Sequence, residues 1–479
     1  MKESQRIAKN IGVMLVAEAI GFTLNFALTV IIARYLGVDR FGQYSFMMAF
    51  VLVFQLLADS GLSNIMIREI ASNREHLPYQ LGVTKSLIWL FSIVAFALIA
   101  LAVNIVNPEK AVKVSIYIMG LAVLATVHAI GYSSVFRALE EMEYNAIGFV
   151  LHKILLLGLV VLVVKLKMGL PEIAGAYLVS NLFLWLLYYV ITSLRYQRPK
   201  LIVDPKAWWY FISEAIPIGI ASLTRRITWQ IDILILSAIA TSRSVGLFSA
   251  PYKIIQSMNM LPQTVALPLY PLYSRLAKDS ILQLYSTYER SLRLMLLMSV
   301  PFVLILATFS RTIVLLLLGK TFEESHAALQ ILSLTLLFLF PTSQFVYFFS
   351  SIGKQKFYTI ASLLGLGVNI LLDLVLIPRL DFLGACIGTL VAEILLFATG
   401  IFYTKTVAEG VSFTRALWKP FAAGSVMLAV LLPFRDSHPY WIALGAVLGV
   451  FVYIFSVLLL KAFSKAELAT LRESVRFLG

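Results

Sequence analysis

Apolar residues run through this chain in long stretches, and polar or charged residues gather in the short breaks between them. A helix needs about 20 consecutive apolar residues to cross the hydrocarbon of a bilayer. Fourteen stretches reach that length, at roughly 10–35, 43–67, 80–105, 113–137, 146–166, 172–194, 211–240, 244–271, 290–310, 325–350, 357–378, 383–405, 416–435 and 438–461. No connector exceeds about twenty residues, which leaves no room for a soluble catalytic domain. The pattern predicts an all-α polytopic membrane protein with 14 transmembrane helices. Pro217 and Gly219 punctuate the seventh run, and Pro251, Pro262, Pro268 and Pro271 the eighth. Proline is tolerated in a membrane helix where neighbours satisfy the freed carbonyls, so the eighth is expected to be irregular.

The breaks also repeat. Phe41-Gly42-Gln43-Tyr44-Ser45 is echoed by Val245-Gly246-Leu247-Phe248-Ser249, 204 residues later. Leu139-Glu140-Glu141-Met142-Glu143-Tyr144 pairs with Ile352-Gly353-Lys354-Gln355-Lys356-Phe357, and Ala174-Gly175-Ala176-Tyr177 with Leu383-Gly384-Ala385-Cys386. Three matches at nearly one offset, in one order, predict two six-helix lobes at 1–200 and 207–410, followed by two additional helices and a cytoplasmic tail at 411–479. An even number of spans separates the repeats, so the lobes should share one orientation and be related by a pseudo-twofold along the membrane normal.

Composition agrees with this. The 479 residues are 60% hydrophobic and 13% charged, which excludes an ordinary soluble domain. A net charge of +14 taken alone fits a nucleic-acid partner, but its distribution argues against one. Alternate connectors lie on one side of the membrane, and the set that includes both termini holds more than twice the Lys and Arg of the other. The positive-inside rule therefore predicts a multi-pass protein of the cytoplasmic membrane with both termini cytoplasmic. The basic residues, Lys85 among them, read as topology signals and contacts for anionic lipid head groups. Cys386 is the only cysteine, so no intramolecular disulfide or thiolate metal site is expected. The first run lacks a small-residue cleavage pattern and reads as a retained helix.

Charges inside the apolar runs point to function. Glu214, Arg225 and Asp232 are spaced so that a continuous helix would bring them within about 20° of one another. Such charges cost roughly 2.5–3.5 kcal/mol in a bilayer and normally face water or a partner. The seventh helix is thus read as lining a pathway, the alternative being an internal Arg225–Asp232 salt bridge. Arg226 and Lys253 add positive charge at similar depth without an adjacent acid. Glu18, Asn25 and Thr29 share a face of helix one. That face is read either as a sugar-binding or protonatable site or, with Glu18 neutral, as hydrogen-bonded packing.

Ala33-Arg34-Tyr35-Leu36-Gly37-Val38-Asp39-Arg40-Phe41-Gly42, then Asp59-Ser60-Gly61-Leu62 and Arg68-Glu69-Ile70-Ala71, resemble the opening of the polysaccharide transporter family, which includes oligosaccharide and O-antigen flippases. Glu214-Ala215-Ile216-Pro217-Ile218-Gly219 is similar to its seventh helix. Leu376-Ile377-Pro378-Arg379 with Leu383-Gly384-Ala385 is similar to its late signature. The superfamily also contains multidrug and toxin extruders and peptidoglycan lipid flippases. The resemblance implies an ion-coupled flippase that carries polyprenyl-(pyro)phosphate-linked oligosaccharide across the membrane by alternating access, for surface glycan assembly, and works as a monomer. Arg225, Arg226 and Lys253 are candidates for the phosphate, since arginine offers paired donors. Glu18, Asn25 and Glu214 are candidates for the rest of the substrate. The peptidoglycan lipid flippases carry an Arg-Asp pair after a Gly-Phe step in helix one; here Gly21-Phe22 leads to Thr23-Leu24-Asn25. The competing reading is a cation antiporter of the multidrug and toxin extrusion type, which would favour an acidic, aromatic pocket.

Asn369 and Asp373 stand one helical turn apart in the eleventh span, and Ala385 and Thr389 one turn apart in the twelfth. With Asp232 they offer two carboxylates, an amide, a hydroxyl and a backbone carbonyl, the oxygen donors that hard cations take. The set resembles the sodium site of peptidoglycan lipid flippases; a proton site or an inert polar cluster are the alternatives. No resident cofactor is expected. The five histidines are scattered and no phosphate-binding glycine loop is present, so an enzyme is not expected.

Overall fold

The computed structural model describes residues 3–59, 61–196, 198, 200–408, 411 and 413–460, with the side chains of 3–11, 15, 56, 217–226 and 413–416 left aside. Among the described residues there are helices and no strands. Among these residues eleven helices are long and apolar enough to cross a membrane. The count of fourteen is not established by them, and the shortfall has a local cause. The first two runs are merged in α1 (Glu3–Asp59) across a break at Gly37, whose φ of 69° is the left-handed region that glycine adopts without strain. The seventh and eighth runs come in pieces too short or too polar to qualify.

The chain packs as two units, Met1–Ser249 and Ala250–Gly479. In the first, α1 is followed by α2 (Leu62–Ser72), α3 (Leu77–Val106), α4 (Lys110–Ala138), α5 (Met142–Lys165) and α6 (Leu170–Arg195). The α6 start is set by Pro171 in its first turn and by Glu172, which accepts from the Gly169 N–H at 2.8 Å. Helices α4 and α6 make the most extensive pairing, with Tyr132, Phe136, Leu184 and Tyr188 buried between them and the start of α3. The seventh run is α7 (Pro205–Thr228) and α8 (Ile231–Ile239), and both pack against α1. The eighth opens as α9 (Ser242–Met258).

The repeated Gly-x-x-Ser steps meet in this unit. A Cβ on Gly42 would fall 1.8 Å from the Ser242 carbonyl oxygen, and one on Gly246 would fall 2.0 Å from that of Val38. The Ser249 hydroxyl donates to Ser45 Oγ at 2.8 Å. The Gly42–Ser242 contact is thus repeated by the equivalent residues Gly246 and Val38, each 204 positions from its counterpart, a locally twofold crossing in which neither glycine has room for a side chain. In hydrocarbon, helices associate through such close backbone approach and interhelical hydrogen bonds rather than through expulsion of water.

The second unit continues with α10 (Met260–Asp279), α11 (Ile281–Thr308), α12 (Ser310–Leu317), α13 (Ser325–Thr342), α14 (Phe345–Ser351), α15 (Gln355–Leu380), α16 (Phe382–Val407), α17 (Phe413–Leu431) and α18 (Pro439–Leu459). Its core is aromatic, with Tyr288 stacked on Phe348 at 4.0 Å. A buried polar knot lies beside it: Tyr273 and Ser291 hydroxyls both reach Gln344 Oε1, at 2.6 and 2.7 Å. Helices α17 and α18 dock on α11, where the Tyr453 hydroxyl donates to the Leu297 carbonyl at 3.1 Å.

Candidate functional site

The helix that carries the intramembrane charges is not continuous. It ends at Thr228, turns through Trp229 and Gln230, and restarts at Ile231. A continuous 100° register from Glu214 through Arg225 to Asp232 therefore does not hold, because the break resets the phase between α7 and α8. Trp229 and Gln230 stand in sequence between Arg225-Arg226 and Asp232, where a non-helical turn at membrane depth is tolerated if protein or a water-filled cavity covers it. Asp232 is buried in the first turn of α8. Arg225 and Arg226 belong to α7, and their side chains lie outside the described residues.

Glu214, expected with the substrate-facing residues, is engaged at the surface of the same unit. Its carboxylate accepts from Arg68 at 2.9 Å, and Arg68 also bonds Glu69 at 3.0 Å. Arg68 therefore links α2 to α7. Where α7 begins, Asp204 accepts from the Tyr79 hydroxyl at 2.6 Å and from the N–H groups of Lys206 and Ala207. These donors, the tyrosine foremost, hold its carboxyl below the usual carboxylate range. On α1, Glu18 and Asn25 are exposed, Thr29 is half-buried, and the Thr29 hydroxyl returns to the Asn25 carbonyl at 2.9 Å. Lys153 of α5 lies within electrostatic reach of Glu18.

In the second unit, Lys253 is half-buried on α9, two residues past Pro251. Asn369 and Asp373 are both buried on α15 and face α16 at a glycine. A Cβ on Gly388 would fall 2.4 Å from Asp373 Oδ1 and 3.4 Å from Asn369 Nδ2. The structure thus brings together Asn369, Asp373 and the α16 backbone beside buried Ala385. The Thr389 hydroxyl donates to the Ala385 carbonyl at 2.9 Å. The donor set suits a hard monovalent or divalent cation in kind. Gly388 is a member that sequence reasoning missed, although its place, one helical turn after Gly384 at the end of a small-residue run, is visible in Leu383-Gly384-Ala385-Cys386-Ile387-Gly388.

Lys85 was also misread. It lies in the third turn of α3, 2% exposed, rather than in a connector. Its ammonium donates to the His128 carbonyl at 3.2 Å, approaches His128 Nδ1 at 3.4 Å and sits 3.7 Å over the Tyr132 ring. The sequence signal was the aromatic spacing around it, Trp89 one turn on and Trp185 and Tyr189 one turn apart on α6.

A kinked, glycine-crossed bundle of apolar helices with charges at a broken span defines a class, the polytopic helical membrane protein. By structure the chain is similar to the lipid II flippase MurJ in an inward closed conformation (TM-score 0.77, 16% identity, covering 94% of this chain and 98% of that one). It is also similar to an inward-facing multidrug resistance MATE family transporter of the MOP superfamily (TM-score 0.66, 13% identity, 83% and 98%). By sequence it is 24% identical over 392 residues to an uncharacterised membrane protein of Methanocaldococcus jannaschii, covering 78% of this chain and 91% of that protein. Residues 7–277 match the polysaccharide biosynthesis protein family, and the chain belongs to it.

Proposed function

We propose that this protein is a flippase that moves polyprenyl-(pyro)phosphate-linked oligosaccharide between leaflets by alternating access. The observation that carries the reading is the interrupted seventh span with Arg225 and Arg226 beside the break. Non-helical backbone at membrane depth is tolerated where it is covered by protein or borders a water-filled cavity, which makes an interrupted span a candidate substrate site. The eighth span is interrupted as well, between α9 and α10 at Asn259. Family membership supports a role in polysaccharide assembly, and the fold is one that a lipid II flippase also uses. A sugar–phosphate head group cannot cross hydrocarbon unaided, whereas its lipid tail can remain in the bilayer. Arg225, Arg226 and Lys253 are assigned to the phosphate, which arginine meets with paired donors. Glu18, Asn25 and Glu214 are assigned to the sugars, Glu214 on condition that it exchanges Arg68 for substrate.

Asn369, Asp373, the Ala385 carbonyl and Thr389 are assigned to a coupling cation, sodium ahead of proton, and Asp232 is kept as a further ligand on the strength of the resemblance. Coupling requires that the cation bind the two access states with different affinity. Proteoliposomes loaded with defined polyprenyl-linked oligosaccharides, or with organic cations, test the reading. Oligosaccharide flipping is expected, lost in Arg225→Ala and Asp232→Asn at unchanged expression. Movement of the organic cations alone would instead assign the protein to extrusion.

A further inference from the structure

The aromatic cage around Lys85 stands apart from every residue assigned above. It lines a cavity of about 460 Å³ whose walls are Trp89 of α3, Tyr132 of α4, Leu182, Trp185, Leu186 and Tyr189 of α6, and Leu201. The cage is rigid. His128 stacks on Trp185 at 4.9 Å and meets Trp89 at a tilt, at 4.4 Å, and Tyr132 meets Tyr189 edge-on at 5.9 Å. One side is roofed by the connector to α7, pinned where Ile202 N–H donates to the Gly82 carbonyl at 3.2 Å and the Ser86 hydroxyl to the Ile202 carbonyl at 2.6 Å. The other side is open along exposed Leu182, Leu186 and Tyr189, an apolar strip on a membrane-spanning helix.

Two polar groups, one lining this cavity and one behind its wall, are incompletely matched. The ammonium has a carbonyl, an imidazole nitrogen and a ring face for partners, and among the described residues no carboxylate neutralises it. The remaining ring nitrogen, His128 Nε2, is buried without a hydrogen-bond partner. A buried cation is costly unless paired, and an apolar wall with one cationic floor complements an anionic head group joined to an acyl or prenyl chain. The cavity lies where α3 begins and α4 and α6 end, the side on which Arg74, Arg137, Arg195, Arg198 and Lys200 gather. We propose that it binds one phosphate-bearing lipid from the leaflet adjoining those basic connectors, the head group on Lys85 and the chain along Leu182, Leu186 and Tyr189.

The assignment does not depend on what the protein transports, and its test involves no transport. Purified protein is placed in nanodiscs containing brominated phosphatidylglycerol or, at equal mole fraction, brominated phosphatidylcholine, and tryptophan quenching is read. The anionic lipid should occupy the cavity about fivefold more favourably than the zwitterionic one. That preference should vanish in Lys85→Met, persist in Lys85→Arg, and lose its signal in the Trp89→Phe, Trp185→Phe double variant. Quenching that is equal for the two lipids, or a preference that survives Lys85→Met, overturns the proposal. So does displacement of the lipid by millimolar inorganic phosphate, which would show that a soluble anion is the ligand. If Lys85→Met does not fold, Lys85→Gln is read in the same way.

Discussion

Gly388 has no side chain because Asp373 occupies the space. With a Cβ there set 2.4 Å from the Asp373 oxygen, Gly388→Ala must push the carboxylate off α16. If that carboxylate holds a cation, the sodium concentration giving half-maximal transport, measured at fixed pH with choline as replacement, should rise about tenfold, worth about 1.4 kcal/mol. An unchanged sodium dependence would remove Asp373 from the coupling site. Arg68 makes the opposite case. It is exposed, and exposed ion pairs are screened and entropically costly, so Arg68→Ala should leave the thermal midpoint unchanged. A clear drop would show that the Arg68–Glu214 pair at 2.9 Å holds α7 in place. At this scale the sequence was read well for type and poorly for depth. Asn369 and Asp373 were legible as a helical-turn pair. Lys85 was not, because a lysine eight residues into a helix looks alike whether it snorkels or is caged; only the packing of α4 and α6 around it decides.

Among the elements, the connector between α6 and α7 is the one whose role no periodicity revealed. It is held by backbone contact with α3: a Cβ on Gly82 would fall 2.5 Å from the Lys200 carbonyl oxygen, and the Trp208 indole N–H donates to the Ser86 hydroxyl at 2.9 Å. Gly82→Val should therefore release the strap. Tryptic cleavage after Lys200 and Lys206 should speed up several-fold in the detergent-solubilised protein; an unaltered digestion pattern would show that the strap is held elsewhere. The break between α7 and α8 was half legible. Pro217 and the charges advertised an unusual span, but they placed one continuous polar face where the structure has a turn at Trp229 and Gln230. Hydrophobic pattern reports where a helix is apolar, not where its hydrogen-bond ladder is cut.

For the molecule as a whole, the repeat at 204 residues was the most informative signal, since it marks backbone contacts that admit no side chain. Gly42→Leu or Gly246→Leu must part the crossing. Overpacking of that kind costs about 1–3 kcal/mol, so the thermal midpoint should fall by about 5 °C. Gly158→Leu, at a glycine with open space around it, should leave it where it was. Equal midpoints for all three variants would mean that the crossing does not bear on stability. The position of the division between the packed units, inside α9, was not legible, because packing follows which helices touch, and matches between short stretches of sequence do not report that.

The Gly42–Gly246 crossing is isologous in the sense used for symmetric dimers, one patch serving as both faces of the contact. A half-length chain bearing that patch would carry both faces of the contact. Fusion of two such genes would then add a peptide link to an association that existed beforehand, and the small residues at positions 42 and 246 would be inherited together as one constraint.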